Sequence, residues 1–334
     1  MTNNRVTIKD IAKELGLSVS TVSRALKDHP DISIETKRAV VELSQRLKYK
    51  PNMMALSLKN SRSNIIGVII PELVHYFFSS VIAGIQEVAD KHKMRVIVQQ
   101  SNESFEQEGE ALDAFSDGWI EGLIVSISKE TISYEHFDEL QAKGIPIVFF
   151  DRPIDQDNVD SVVFDDYKGA YEAVEYLLKI GRRNIVHFAG PASTHVGRER
   201  LRGYRDALRD SSIPFREELV VHADSFEKGG TGVEALVAKG IEFDAIFTCN
   251  DFTAIGALKA LKREGLLVPD QVAVVGFGDE DIAKMVDPPL TTVRQPGKEM
   301  GRVAMLTLIE KINNAPTKER EHKLEANIVV RETT

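Results

Sequence analysis

Arg24 and the small residues beside it are the first groups in this chain whose types and spacing could do chemistry. In the run VTIKDIAKELGLSVSTVSRALK (Val6 to Lys27), positions 19, 20, 23 and 24 hold Val19, Ser20, Ser23 and Arg24. At helical spacing these four share one face, and Val22, Ala25 and Leu26 share the opposite one. An outward face of small and hydroxyl side chains lets a backbone come close to a groove. A guanidinium there can fork to guanine O6 and N7. The chemistry is base-edge recognition in double-stranded DNA.

The elements that must position Arg24 are legible around it. Thr7 is a plausible N-cap with Asp10 three residues on. Ile8, Ile11, Ala12 and Leu15 form one apolar stripe, Gly16 permits a sharp stop, and Ser18 caps a second helix from Val19 to about Leu26. Ser33 starts a third helix, whose Ala39, Val40, Leu43 and Leu47 can close a three-helix core. Two helices joined this way predict a helix-turn-helix, with an ordinary surface hairpin as the bland alternative. Charge favours the first. Met1 to Arg62 carries twelve Lys and Arg against six Asp and Glu, while the whole chain has net charge −9. A basic head on an acidic body fits a nucleic-acid-binding module joined to something kept off phosphate.

The run resembles the head of the LacI family of bacterial transcription regulators. The resemblance rests on TIKDIA, SVSTVSRAL and YKPNMMALSLKNSRSNIIGVIIP (Tyr49 to Pro71), and extends in weaker form over nearly all 334 residues. It implies that Val19, Ser20 and Arg24 read bases and that Thr7, Ser18, Thr21 and Ser23 reach phosphates. It also implies a hinge, with Leu58 wedging into the central base step and Lys59 on the backbone. Residue composition supports a hinge: NMMALSLK (Asn52 to Lys59) is only about two turns long, and helices below ~12–15 residues are marginal alone. An apolar wedge costs a few kcal/mol of unstacking, offset by the contacts a bent duplex permits. The alternative is a linker helix packed on the core. The expected domains are 1–51 for the head, 52–64 for hinge and linker, and 65–334 for an effector-binding and dimerisation core.

Beyond position 64, apolar runs alternate with helical patterns. Strands are predicted at Ile65–Ile70, Arg95–Gln99, Gly122–Ser126, Ile145–Phe150, Asn184–Phe188, Leu219–His222, Ala245–Cys249 and Val272–Phe277, closing with Ala326–Arg331. Alternation of this kind implies parallel sheets covered on both faces, and the length implies two subdomains. The resemblance supplies the rest: two Rossmann-like lobes of the periplasmic-binding type, about 65–163 with 294–317 and 164–293 with 318–334. The crossovers fall near Phe164, Arg294 and Thr317.

Ligands in such sheets bind beyond the carboxyl ends of strands. The resemblance places Phe77, Phe78, Thr194, Val196, Arg200, Phe226, Asn250 and Asp251 at an effector cleft, with Asp165 near the first crossover. One departure stands out. Where the family commonly has an aspartate after Gly-Phe, this chain has Gly278, and Asp279 comes one step late. Either Asp279 takes over or the contact is missing. Asp279-Glu280-Asp281 otherwise reads as a solvated charge run. Arginine, asparagine and aspartate with aromatic walls suit vicinal hydroxyls, so a sugar or sugar derivative is the first expectation. A purine or a phosphorylated metabolite is the other.

Several chemistries are not readable. One cysteine, Cys249, excludes an internal disulfide. The 8 histidines lack metal-ligand spacing. There is no GxxxxGK[ST] loop and no GxSxG elbow, so neither an enzyme nor a cofactor is expected. No apolar run nears ~18 residues, and none leads the chain, so a cytoplasmic protein with no membrane partner is expected. The resemblance implies a homodimer on a palindromic operator. The second reading is a small-molecule-binding or sugar-modifying protein whose first helices serve assembly.

Overall fold

A computed structural model describes residues 6–49, 63–74, 76–116, 119–154, 159–315 and 320–334. The hinge expectations, Leu58 and Lys59 among them, lie outside these residues. The chain divides into two compact units, Met1–Asn64 and Ile65–Thr334.

The first unit holds α1 (Ile8–Leu15), α2 (Val19–Leu26) and α3 (Ile34–Arg46). Its start is fixed locally: one carboxylate oxygen of Asp10 accepts from the amide and the hydroxyl of Thr7, each at 2.7 Å. Gly16 ends α1 at φ +64°, a conformation that costs a residue with a Cβ about 1–2 kcal/mol. Ser18 caps α2 through the Thr21 amide, and Ser33 caps α3 through the Thr36 amide. Ile11, Ala12, Val22, Ala25, Val40 and Leu43 fill the core between the three helices.

The second unit has two six-stranded sheets. Its elements are β1 (Ile65–Ile70), α4 (Tyr76–Lys91), β2 (Arg95–Gln100), α5 (Phe105–Ser116), β3 (Gly122–Val125), α6 (Glu135–Ala142), β4 (Ile147–Phe150) and β5 (Asp160–Phe164). They continue with α7 (Asp166–Lys179), β6 (Ile185–Ala189), α8 (His195–Asp210), β7 (Val220–His222), α9 (Phe226–Ala238), β8 (Ala245–Thr248), α10 (Asp251–Arg263), β9 (Ala273–Gly278) and α11 (Asp281–Met285). The chain closes with β10 (Thr291–Arg294), α12 (Gly297–Ile312), β11 (Glu321–Leu324) and β12 (Asn327–Val329). The first sheet runs β11-β5-β4-β3-β1-β2 and is parallel throughout. The second runs β12-β10-β9-β8-β6-β7, with only β12 antiparallel.

The chain therefore passes between lobes three times: after β5, after β10 and after β11. The first two passages sit at the expected places near Phe164 and Arg294. The third does not. β11 pairs with β5 in the first sheet, so the crossing follows Leu324 rather than Thr317. β11 reads EHKL and alternates exposed with half-buried positions, so an edge strand here carries no apolar run to mark it. β5 (DSVVF) and β10 (TTVR) are likewise too short and too polar to stand out as apolar runs. α9 begins at Phe226, capped by Ser225 through the Lys228 amide. Its Gly229 lets α9 meet α10: a Cβ there would lie 2.2 Å from the Thr253 carbonyl oxygen.

Candidate functional site

In α2 the two faces separate as the periodicity requires. Val22 and Ala25 are buried, whereas Ser18, Ser20 and Arg24 are exposed and Val19 is 42% exposed. Thr21 and Ser23 are half-buried. The Ser18 hydroxyl is already engaged, within 2.8 Å of both the Ser20 and the Thr21 hydroxyls. Thr7 gives its hydroxyl to Asp10. Among the described residues no ion pair holds the Arg24 guanidinium, so a permanent cation stands free on a face of small side chains.

The core carries a cavity of about 450 Å³ at the carboxyl-terminal ends of both sheets, where open α/β sheets bind ligands. Seven residues that the sequence assigned to an effector line it: Phe77, Phe78, Thr194, Val196, Arg200, Phe226 and Asn250. All but Arg200, which stands in the second turn of α8, are placed by a helix start. Phe77 and Phe78 open α4, and Phe78 is 5% exposed, its ring edge-on to Phe77 at 5.2 Å. Thr194 caps α8 through the Gly197 amide at 3.0 Å, with Val196 in that helix's first turn. Phe226 opens α9. Asn250 caps α10 through the Thr253 amide at 2.8 Å and gives its side-chain N–H to the Asp224 carbonyl at 3.0 Å.

Arg200 is 6% exposed. Its Nε and Nη2 donate to Asp166 Oδ1 at 2.8 and 2.7 Å, its Nη1 donates to the Cys249 carbonyl, and its guanidinium carbon lies 3.6 Å from the Phe277 ring centroid. Across the cleft, Arg152 forks onto Glu103 at 2.7 and 2.9 Å. Burial of Glu103 opposes its ionisation, but the hydrogen bonds and charge of Arg152 outweigh it and hold the carboxyl below its ordinary range. Burial raises Asp151, which sits between the two arginines in charge terms. Burial also pushes the Cys249 thiol up to about 11, so it is a packing group rather than a nucleophile.

Three expected cleft residues lie elsewhere. Asp251 is fully buried: its Oδ1 accepts from Thr292 Oγ1 at 2.5 Å and its Oδ2 from the Glu280 amide at 2.8 Å. It ties the β9–α11 loop to α10 from beneath the cavity. Asp279 does not take the place of the missing aspartate, because Arg294 Nε at 2.6 Å and Arg331 Nη2 already occupy it. Asp165 caps α7 through the Lys168 amide at 3.0 Å and pairs with Lys323 at 3.0 Å. Sequence reasoning missed Glu103, Asp151 and Arg152 in the lining, and it also missed Glu280, which lines the cavity at 6% exposure. The charge run containing it is not solvated: of its three residues only Asp281 faces water, paired with Lys284. Burial, then the nearby charge of Asp251, pushes Glu280 up to about 7.

Among the described residues no group of three side chains is arranged to hold a metal ion, and no helix is long and apolar enough to cross a membrane.

Comparison with known proteins finds a family match over each of the two units. Residues 7–52 match the family model for bacterial regulatory proteins of the lacI family. Residues 63–332 match the model for periplasmic binding proteins and the sugar binding domain of the LacI family. Catabolite control protein A of Priestia megaterium is 30% identical over 331 residues, covering 98% of this chain and 99% of that one. The ribose operon repressor of Halalkalibacterium halodurans is 31% identical over 329 residues, covering 98% and 97%. The structure resembles that of the lac repressor dimer bound to operator and the anti-inducer ONPF, with TM-score 0.89, 27% identity and 99% of each chain covered.

Proposed function

The chain belongs to the lacI family of bacterial regulatory proteins, and on that premise we propose the residues through which it works. It is a DNA-binding transcription regulator whose core takes a small-molecule effector. We assign base reading to α2. Arg24 forks to a guanine, Ser20 is a permissive reader, and Val19 offers apolar contact to a thymine methyl. Thr7, Ser18, Thr21 and Ser23 take phosphate oxygens, and on the family resemblance Leu58 and Lys59 work in the minor groove. The observation that carries this reading is the exposed, uncommitted Arg24 on a face opposite the buried Val22 and Ala25.

The cleft binds a sugar or sugar derivative between Phe77, Phe78 and Phe226, with Thr194, Arg200 and Asn250 as polar contacts. Asp165, Asp251 and Asp279 act as supports that fix the walls. The ribose operon repressor among its relatives supports a carbohydrate effector and a repressor of carbohydrate genes. The lac repressor dimer supports a homodimer reading an inverted repeat. Effector occupancy and operator affinity are linked, typically by 1–3 kcal/mol, and the linkage is reciprocal.

The test is selection of bound duplexes from a random pool by the full-length protein, followed by anisotropy titration. An inverted repeat should emerge, and affinity for it should fall steeply with salt as counterions leave neutralised phosphates. Recovery of no symmetric sequence, or an affinity indifferent to salt, contradicts the reading.

A further inference from the structure

Glu280 has a carboxylate turned into the cavity with nothing to neutralise it. The residue is 6% exposed, its amide is held by Asp251, and no ion pair or hydrogen bond engages its carboxylate among the described residues. Other acidic side chains of the cavity are already spent. Arg152 holds Glu103, Lys228 pairs with Asp224 at 2.5 Å, and Glu227 accepts from the Ser225 hydroxyl at 3.0 Å. The charges of the cleft's buried guanidinium groups are balanced as well, Arg200 by Asp166 and Arg152 by Glu103. An entering ligand therefore meets an unused acceptor of negative charge; the buried cations are already balanced, and the lining's other lysine, Lys129, is exposed.

The backbone explains why this acceptor sits at Glu280. Gly278 has φ +139°, and a Cβ there would lie 3.3 Å from Asp251 Oδ2 and 3.5 Å from Glu280 Cγ. A third carboxylate at position 278 would be crowded against two others in a buried place, where like charges within ~4–6 Å strongly disfavour ionisation. Position 278 and position 280 are alternatives, and this chain uses the second.

We propose that Glu280 is the ligand-facing acceptor of the cleft and that the effector is an uncharged polyhydroxyl compound whose hydroxyls donate to it, not a phosphorylated or carboxylated one. This rests on the effector reading above. A buried charge without a partner is costly. Hydroxyl donors bound in its place would supply charge-assisted hydrogen bonds, whereas a phosphate would add repulsion.

The test is calorimetric titration of the full-length protein with ribose, glucose and cellobiose, and with ribose 5-phosphate, glucose 6-phosphate and cellobiose 6-phosphate as their anionic counterparts. At least one neutral sugar should bind, and its anionic counterpart should bind at least tenfold more weakly. Glu280→Ala and Glu280→Gln should each weaken the neutral sugar by about 10- to 100-fold. Glu280→Gln should also raise the melting temperature of the ligand-free protein at pH 8, because it removes an uncompensated charge. A purely structural glutamate would give the opposite shift. Tighter binding of an anionic counterpart, silence of all three neutral sugars, or full affinity in both variants overturns the proposal. A neutral sugar that binds through Glu280 but leaves operator affinity unchanged would upset the regulatory reading and leave this assignment standing.

Discussion

Arg200 directs two N–H groups onto one carboxylate oxygen of Asp166, at 2.8 and 2.7 Å, and both residues are at least 94% buried. The pair joins the first turn of α7 to α8 directly under the cleft, so it sets where the guanidinium stands. Removing one partner leaves the other charge buried and alone. Asp166→Ala should cost about 3–5 kcal/mol in urea denaturation. A cost under about 1 kcal/mol would mean that Phe277 and the Cys249 carbonyl suffice to hold Arg200.

Gly84 and Gly109 sit in neighbouring helices of the first lobe and should respond to alanine with opposite signs. A Cβ at Gly84 would lie 2.0 Å from the Lys298 carbonyl oxygen, where α4 meets α12. At Gly109, inside α5, nothing stands within 4 Å. Gly84→Ala should destabilise by about 1–3 kcal/mol through overpacking. Gly109→Ala should stabilise by about 0.5–1 kcal/mol through helix propensity. Denaturation midpoints of the two variants check this, and equal signs would contradict the helix contact.

The same local logic decides what the sequence revealed. The head was readable because Thr7, Gly16, Ser18 and Ser33 each determine a helix end with neighbours within four residues. β1 was readable because IIGVII is buried on both faces. β5, β10 and β11 escaped because their sequences, DSVVF, TTVR and EHKL, owe their pairing to distant strands. Seven cleft residues were found through the family resemblance, six of them at helix starts. Asp251 and Asp279 were misplaced because their partners, Thr292, Arg294 and Arg331, lie 15 to 52 residues away. Glu280 was missed for the converse reason: three acids in a row read as a solvated surface until the fold encloses them.

Arg24→Ala should cost about 1–3 kcal/mol at the operator and relax preference at a single base pair. Repeating the duplex selection with the variant measures this directly. Uniform weakening with the same preferred sequence would make Arg24 a phosphate contact instead.

Glu280 also gives the ligand-free protein a pH dependence of definite sign. Its ordinary value of 4.5 is raised to about 7 by burial. Between these values the unfolded chain has released a proton that the folded chain still holds, so stability falls as pH rises. The contribution is whole below about 4.5 and lost as pH climbs through 7. Asp251, raised to about 6, Asp166, raised to about 7, and Asp151, also raised, act in the same direction through burial. In Glu280→Gln the fall in melting temperature between pH 5 and 8 should be shallower than in the parent, leaving the part due to these aspartates. An identical slope in both proteins would mean that Glu280 ionises freely in the fold.

Linkage between cleft and operator is measured most directly as a closed cycle on the full-length protein. Ligand affinity is titrated with and without saturating operator duplex, and operator affinity with and without saturating sugar. One and the same factor, of about 5- to 150-fold, is the predicted result on both sides. Sugar affinity that is equal in the free and operator-bound protein, together with operator affinity that ignores the sugar, would contradict it.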